Sequence, residues 1–268
     1  MRLCLLATIP RVLSALETVV RTAACTALLP PLLIAVSAEA GLLAAFGATR
    51  SRVQRAYDRF ASLCLLAGGT QLQVNGLEHV KPDQPYVVIA NHESNWDPVA
   101  LVAALHGRYV RFVVKKEIIR IPIFGQALMA TGNVMVERAN TTADVARIRR
   151  GMEERPLDVS ILFYPEGTRS RDGALHDFKK GAFSSAIAYG LPILPIGHAG
   201  TYHVWTPNTL RIRRNPVVVE IGAPIDVSDL TLADRDPLRD RARTIVADLR
   251  TRARKRVREL GGETGGID

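Results

Sequence analysis

The fold is decided by the stretch Asn91-His92-Glu93-Ser94-Asn95-Trp96-Asp97. It follows an apolar, β-branched run, residues 86–90, which is typical of a buried strand. It precedes a second apolar segment, residues 98–105, in which proline occupies a position suited to the first turn of a helix. His92 and Asp97 therefore lie where a strand ends and a helix begins. In α/β folds, sites form at that edge of the sheet, beyond the carboxyl ends of the strands.

The spacing of His92 and Asp97 indicates a general base. Four residues separate them, so the chain can turn back and bring the carboxylate to one imidazole nitrogen while the other nitrogen faces a substrate. The same residues also fit a helix cap, because an Asp directly before Pro98 can accept backbone N–H groups of the first turn. The two interpretations are compatible, since a nearby helix N-terminus disfavours imidazolium and leaves a neutral base.

The composition favours anionic partners. The chain has 268 residues, 47% of them hydrophobic and 6% aromatic, with a formal charge of +9. Such a charge suits nucleic acid, an acidic lipid surface or phosphorylated substrates, and the few aromatic residues argue against nucleic acid. The three cysteines, Cys4, Cys25 and Cys64, lie in apolar N-terminal sequence without metal-ligand spacing. We therefore predict a reducing compartment, no metal site and no disulfide framework.

The N-terminal part predicts a membrane anchor. Residues 22–48 are almost uncharged and long enough to cross a bilayer, but Pro30 and Pro31 interrupt them and Glu39 lies in their second half. These features favour a kinked helix or a helical hairpin that dips into one leaflet over a straight span. A cleaved secretory signal ending near Ala38 is the alternative. Arginines follow and indicate a cytoplasmic, headgroup-contacting flank: Arg50, Arg52, Arg55 and Arg59.

The rest of the chain predicts an α/β fold, a largely parallel mixed sheet flanked by helices. Short apolar segments alternate with helical ones, and seven of them are strand candidates: 72–74, 86–90, 109–114, 133–136, 159–164, 192–196 and 217–221. An apolar stripe with arginines between its positions predicts a C-terminal helix, which packs on the sheet or turns a basic face to the membrane. We divide the chain into a hydrophobic helical anchoring segment with a basic flank (1–60), an α/β domain that includes the basic C-terminal helix (61–260) and a disordered tail (261–268).

A second group of residues indicates anion binding at strand ends. Glu166, Gly167 and Arg169 form a tight turn after an apolar strand, where the glycine permits close approach and the guanidinium can grip a phosphate. A Glu–Arg pair that merely orders the turn is the alternative. Further cations follow or precede other strand ends, and together they would converge on one phosphate-sized pocket: Lys115, Arg138, Lys179 and Lys180.

Four ordered motifs together resemble the glycerolipid acyltransferases, most closely the 1-acyl-glycerol-3-phosphate acyltransferases. The four segments are His92 to Asp97, Gly132 to Arg138, Phe163 to Ser170 and Leu191 to Pro195. Their order and spacing over roughly residues 80–197 make chance agreement improbable. The resemblance implies acyl transfer from acyl-CoA or acyl-carrier protein to the sn-2 hydroxyl of 1-acyl-glycerol-3-phosphate, at the cytoplasmic face of the inner membrane. It implies no cofactor beyond the acyl thioester.

The chemistry assigns roles to these residues. His92 takes the hydroxyl proton and Asp97 orients it, while the remaining candidates hold the phosphorylated acceptor: Lys115, Arg138, Glu166, Gly167, Thr168, Arg169, Lys179 and Lys180. The expected partners are a lysophospholipid, the acyl donor and an anionic membrane. Other interpretations stay open, namely an acceptor such as lyso-ornithine lipid, a thioester hydrolase, a non-catalytic membrane-binding protein, or Ser94 as a nucleophile.

Overall fold

The computed structural model describes residues 2–137 and 141–265, and in them seven strands form one sheet. The strands are β1 (Leu72–Asn75), β2 (Val87–Ala90), β3 (Val110–Lys115), β4 (Val134–Val136), β5 (Ser160–Phe163), β6 (Ile193–Ala199) and β7 (Val217–Ile221). Their order across the sheet is β1-β7-β6-β2-β5-β3-β4. All seven strand candidates and the mixed α/β class are confirmed, with boundaries that shift by one to three residues at some ends.

The sheet places the ends of β2 and β5 side by side. Val88 of the central strand β2 pairs in parallel with Leu162 of β5 on one side and with Leu194 of β6 on the other. Of the strand pairs in the described residues, β6 with β7 is antiparallel and the others are parallel. His92 and Glu166 follow β2 and β5 directly, so they meet at one edge of the sheet.

Helices cover both faces of the sheet. They are α1 (Arg2–Ala45), α2 (Arg50–Gly68), α3 (Asp97–Ala104), α4 (Phe124–Ala130), α5 (Thr141–Glu153), α6 (Gly181–Tyr189), α7 (Thr201–Val204) and α8 (Arg235–Glu259). Alternate residues of β2 separate the two layers, as the two-residue period of a strand requires. Val88 packs with α3, whereas Val87 packs with α5, α6 and α8. The helices α1 and α2 cover α3 from outside.

The apolar stripe of α8 packs on the sheet, as predicted. Val246 is buried with β2, and Ala253 and Val257 are buried against β6 and β7. This helix lies on the opposite face of the sheet from α1. Its arginines therefore do not share the surface of the apolar N-terminal helix, and the alternative of a basic face next to the membrane anchor is not supported.

The prediction of a disordered tail is wrong for residues 261–265. The backbone N–H of Glu263 donates to Asn215 Oδ1 over 2.9 Å, and Asn215 Nδ2 donates to the Glu263 carbonyl over 3.0 Å. Gly265 lies against the ring of Tyr202, where a Cβ would come within 2.5 Å of Cδ1. A buried asparagine amide thus holds the segment in place. Residues 266–268 lie outside the described residues.

Of the two arrangements predicted for residues 22–48, a kinked helix or a hairpin, the hairpin is not formed, because α1 continues through Pro30 and Pro31. Packing on both sides of the prolines holds the chain helical despite the two missing N–H donors: Cys25 is buried against α2 and α3 before them, and Ala40 against α2 after them. The chain reverses only at Gly47, whose φ of 67° suits the turn. The hairpin is formed by α1 and α2 together.

The helix α1 lies along the domain instead of projecting from it. Thr22 bonds the backbone of Ile212, Glu39 pairs with Arg59, and Gly41 lies against Ala127 of α4. Its segment Ser14–Ala45 is long and apolar enough to cross a membrane, and an 18-residue stretch within it has a mean hydropathy of 1.8 with 11% of that stretch buried. Phe46 is exposed just after the helix, and the outward face of the helix carries exposed apolar side chains: Leu16, Val19, Val20, Leu28, Ile34 and Leu42. This arrangement fits a helix that binds a membrane with one face.

The boundary predicted between residues 60 and 61 falls inside α2. That helix packs against α1 on one side and against α3 of the α/β domain on the other. The division of the chain at this point stays a prediction, since α2 belongs to both packing arrangements.

The outward face of α1 generates a test. Val20 and Leu28 are 61% and 59% exposed, so replacing both by Asp should leave thermal stability unchanged. Burying each apolar side chain in lipid contributes about 1.5–3 kcal/mol, so the double variant should partition into vesicles roughly 100-fold less well or worse. Val145→Asp/Leu232→Asp, at sites that are 60% and 58% exposed on the opposite side of the sheet, is the matched control. Equal partitioning of the double variant and the control would contradict the assignment of this face.

Candidate active site

Asp97 holds His92 and its loop through one carboxylate oxygen. Its Oδ2 accepts hydrogen bonds from His92 Nδ1 (2.7 Å) and from the backbone N–H groups of Glu93 (2.7 Å) and Ser94 (2.8 Å). Because Nδ1 carries the proton donated to Asp97, the neutral ring keeps its lone pair on Nε2. The spacing of His92 and Asp97 thus produces the orientation that a general base requires.

The helix-cap interpretation is wrong, because the Asp97 carboxylate accepts N–H groups that precede the helix and not those of its first turn. Asp97 is the first residue of α3, and the residue before it, Trp96, makes no capping hydrogen bond with its side chain. The carboxylate turns back toward the loop that precedes the helix, where it accepts N–H groups at positions 93 and 94. Its role is therefore to close the loop around His92.

Burial sets the electrostatics of the pair. His92 stacks on Tyr164 with ring centroids 4.0 Å apart and planes 14° apart. Burial lowers the pKa of His92 below its ordinary value, against the opposite effect of Asp97. Burial opposes ionisation of Asp97, but the facing imidazoles of His198 and His92, together with the hydrogen bond from His92, outweigh it and lower the pKa of this carboxyl. The resting state is a neutral imidazole beside a carboxylate, which is the form a base needs.

Ser94 has no geometry for the nucleophile alternative. It is fully buried, its hydroxyl donates to the Trp205 carbonyl over 2.7 Å, and the same oxygen accepts the Trp96 N–H over 3.0 Å. Both bonds are structural and neither involves His92.

Glu166 joins the two motif loops. Its Oε1 accepts the backbone N–H of His92 over 2.7 Å, and its Oε2 accepts that of His176 over 3.0 Å. The side chain is 5% exposed, and burial raises its pKa to about 7. Both oxygens accept hydrogen bonds from backbone donors. This carboxylate therefore holds the loop after β2 against the loop after β5, and this role suits it better than a contact with substrate.

Two predicted cations flank the turn at Gly167. Arg169 donates to Asn95 Oδ1 over 2.7 Å and lies near enough to His92 to contribute, after burial, to its lowered pKa. Gly167 has a φ of 75°, and a Cβ there would come within 2.9 Å of Lys179 Nζ. Glycine therefore lets the lysine cross the turn. The structure places Arg169 near the base and Lys179 across the neighbouring Gly167 turn.

The other predicted binding residues are more dispersed. Thr168 is exposed on the same turn. Lys115 pairs with Glu117 over 3.2 Å, and Lys180 pairs with Asp236 over 2.9 Å. Arg138 lies outside the described residues. Binding roles for these four stay predictions.

The site also contains buried polar residues that sequence reasoning missed. Asn91 Nδ2 donates to the His198 carbonyl over 3.0 Å, and Asn91 Oδ1 accepts the His198 N–H over 2.9 Å. These bonds fix the end of β2 to β6. Arg250 of α8 lies 3.6 Å from Glu93 Oε2 and donates to the Gly173 carbonyl. In the sequence, the indication that Arg250 is buried is its position directly after Leu249, a residue of the apolar stripe of the C-terminal helix.

Known proteins resemble this chain over most of the α/β domain. Residues 71–199 match the family model described as Acyltransferase. The chain is 36% identical over 180 residues to a 1-acyl-sn-glycerol-3-phosphate acyltransferase of Escherichia coli K12, covering 66% of this chain and 69% of that protein. The chain belongs to the acyltransferase family. The human 1-acyl-sn-glycerol-3-phosphate acyltransferase alpha is 31% identical over 177 residues, covering 65% of this chain and 62% of that protein.

A solved structure shares the fold of this acyltransferase. The crystal structure of the 1-acyl-sn-glycerophosphate acyltransferase of Thermotoga maritima superposes with a TM-score of 0.75 at 22% identity, over 93% of this chain and 98% of that one. The family resemblance predicted from the four motifs is confirmed, and so is the class of enzyme, an acyltransferase.

Substitution of Asp97 tests the dyad. Asp97→Asn retains an acceptor for Nδ1 but removes the charge that supports imidazolium, so turnover should fall by up to about 10⁴-fold, by analogy with serine-protease triads. Asp97 raises the pKa of His92, so in the variant the acidic limb of the kcat/KM profile should move to lower pH. A pH–rate series on both proteins measures this; an unmoved limb with normal turnover would contradict the assignment.

Glu166→Gln tests the loop tie. An amide offers one acceptor where two backbone N–H groups need two, so the variant should lose about 1–3 kcal/mol of stability at high pH. The raised pKa means that the folded state binds more protons than the unfolded state between about pH 4.5 and about 7. Wild-type stability should therefore fall relative to the variant as pH rises through that window. Denaturant unfolding at several pH values measures the difference, and a pH-independent difference would argue against a buried carboxyl at this position.

Proposed function

We propose that the protein transfers a fatty acyl group from an acyl thioester to the sn-2 hydroxyl of 1-acyl-glycerol-3-phosphate. The observation that carries this proposal is the His92–Asp97 pair beside the Gly167 turn, where Arg169 and Lys179 supply positive charge within reach of one substrate. A base next to a phosphate-binding turn suits an acceptor that carries both a hydroxyl and a phosphate. The relatives named 1-acyl-sn-glycerol-3-phosphate acyltransferase support the same acceptor.

The reaction needs one proton transfer in each direction. His92 Nε2 takes the proton of the acceptor hydroxyl while its oxygen attacks the thioester carbonyl carbon. As the tetrahedral intermediate collapses, the carbon–sulfur bond breaks and the imidazolium returns the proton to the leaving thiolate. Asp97 stabilises the imidazolium between these steps. A thioester is already activated, so no covalent acyl-enzyme is required.

We infer that the reaction takes place at the cytoplasmic face of the inner membrane. Acyl-CoA and acyl-carrier protein are cytoplasmic donors, while the acceptor is a lipid. The exposed apolar face of α1, with the arginines of α2 beside it, suits attachment to one leaflet. The anchoring role of α1 and the identity of the donor are both parts of this proposal.

A panel of substrates tests the function. Purified protein is given lysophosphatidate, lyso-ornithine lipid or no acceptor, with each of the two acyl donors. The proposal expects phosphatidate only with lysophosphatidate. Thioester consumption without an acceptor would indicate a hydrolase, and acylation of lyso-ornithine lipid alone would replace the acceptor assignment.

Arg169 separates acceptor binding from chemistry. Arg169→Ala should remove a charged hydrogen bond worth about 1.5–3 kcal/mol and raise the KM for the acceptor by roughly 10- to 100-fold, with little change in the KM for the donor. Arg169→Lys should restore only part of the loss, because an ammonium cannot form the planar two-pronged contact. Arg171→Ala, two residues away and exposed, is the control. An unchanged acceptor KM with a lower Tm would show instead that Arg169 only orders the turn through Asn95.

A further inference from the structure

Residues 205–214 form an ordered cationic hairpin, here called the arginine hairpin. Trp205 and Ile212 face each other in an antiparallel bridge, and the Arg213 N–H donates to the Val204 carbonyl over 3.0 Å. Trp205 Nε1 donates across the loop to the Thr209 carbonyl over 2.8 Å. At the tip, Asn208 has a φ of 62°. These bonds make the hairpin a built element with a defined outer surface.

The outer surface of this hairpin combines a solvent-exposed leucine with arginines that have no carboxylate partner among the described residues. Leu210 is 72% exposed, and Arg211 and Arg214 are exposed beside it. Residues 206–216 contain no Asp or Glu. Within residues 2–137 and 141–265, Arg211, Arg213 and Arg214 make no ion pair with a carboxylate. Other arginines of the chain, such as Arg147 and Arg239, do have carboxylate partners.

The hairpin lies on the face of the domain that carries the apolar helix α1. Ile212 is buried with Cys25 of α1 and Trp96 of the catalytic loop. The Ile212 N–H donates to Thr22 Oγ1 over 3.1 Å, which attaches the hairpin to α1 itself. The hairpin that carries the exposed leucine and the arginines is therefore attached directly beside α1.

We propose that the arginine hairpin is a membrane-binding element that takes anionic phospholipid headgroups, with Leu210 inserted among the acyl chains. The charge selects an anionic surface, and the single apolar tip beside α1 selects a bilayer, since both then meet the same leaflet. The hairpin also carries the Trp205 carbonyl that accepts the Ser94 hydroxyl, two residues from His92. One hydrogen bond, from Ser94 to Trp205, thus connects the proposed lipid-binding hairpin to the catalytic loop.

Vesicle partitioning of the full chain tests the proposal. The quantity measured is the ratio of partition coefficients for phosphatidylcholine vesicles with and without phosphatidylglycerol, in which the apolar contribution of α1 cancels. Each arginine near an anionic surface contributes about 5-fold, so Arg211→Gln/Arg213→Gln/Arg214→Gln should lower the ratio on the order of 100-fold. High salt should lower the wild-type ratio in the same way.

A matched triple variant on the opposite face of the sheet is the control. Arg241, Arg252 and Lys255 are exposed on α8, and changing all three to Gln removes the same charge. The proposal expects a nearly unchanged ratio for this control. An equal loss in both triple variants would overturn the hairpin assignment in favour of net charge. If the hairpin triple variant has a lower Tm, the single variants Arg211→Gln and Arg214→Gln each give a 5-fold test.

The tip is tested separately. Leu210→Trp places a fluorophore at the exposed position, and its emission should shift to shorter wavelength on addition of phosphatidylglycerol vesicles. An unshifted emission while the protein is bound would overturn the insertion of the tip. Tighter binding of an oligonucleotide than of vesicles, lost in the hairpin triple variant alone, would overturn the proposal in favour of nucleic acid. These readouts are independent of acyl transfer, so they stand whichever acceptor the enzyme uses.

Discussion

One carboxylate oxygen, Asp97 Oδ2, determines the shape of the catalytic loop. It accepts three hydrogen bonds at once, from the imidazole of His92 and from the N–H groups of Glu93 and Ser94. A carboxylate with no exposed surface keeps its charge only when donors replace water. The loop therefore wraps around the oxygen, and the direction of the imidazole follows from that wrapping. The same three hydrogen bonds therefore set both the conformation of the loop and the orientation of the base.

Buried ties from distant segments then fix this loop in the domain. Glu166 joins the His92 N–H to the loop after β5, and Arg250 joins Glu93 to the Gly173 carbonyl. Each buried group is costly without a partner, so each tie holds only while both loops keep their positions. This interdependence explains the position of Arg250. Its helix, α8, supplies no group to the reaction as proposed, but Arg250 holds the catalytic loop through Glu93.

The sequence was sufficient for the strands and for the His92–Asp97 pair, because period and spacing are local properties. The sequence was insufficient where a residue distant in the chain determines the direction of a side chain or the order of a segment. Nothing near Glu166 tells whether the carboxylate turns out to a substrate or in to two N–H groups. Likewise the helix through Pro30 depends on packing before and after it, and the tail is held by Asn215. A side chain's direction and a tail's order are properties of the folded molecule.

The layering of the sheet also determines which helices pack against the catalytic loop. The last residue of α2, Gly68, touches Trp96, and a Cβ there would come within 2.6 Å of the indole. Beside it, Arg21 of α1 donates to the Ala67 carbonyl over 3.3 Å. The apolar hairpin of α1 and α2 therefore runs up to the catalytic loop itself, between Ser94 and Asp97. Trp96 is 1% exposed in this contact, so the helix pair proposed to bind the membrane packs directly on the loop that carries the proposed base. The position of His92 relative to a lipid surface is therefore set by the packing of α1 and α2 on this loop.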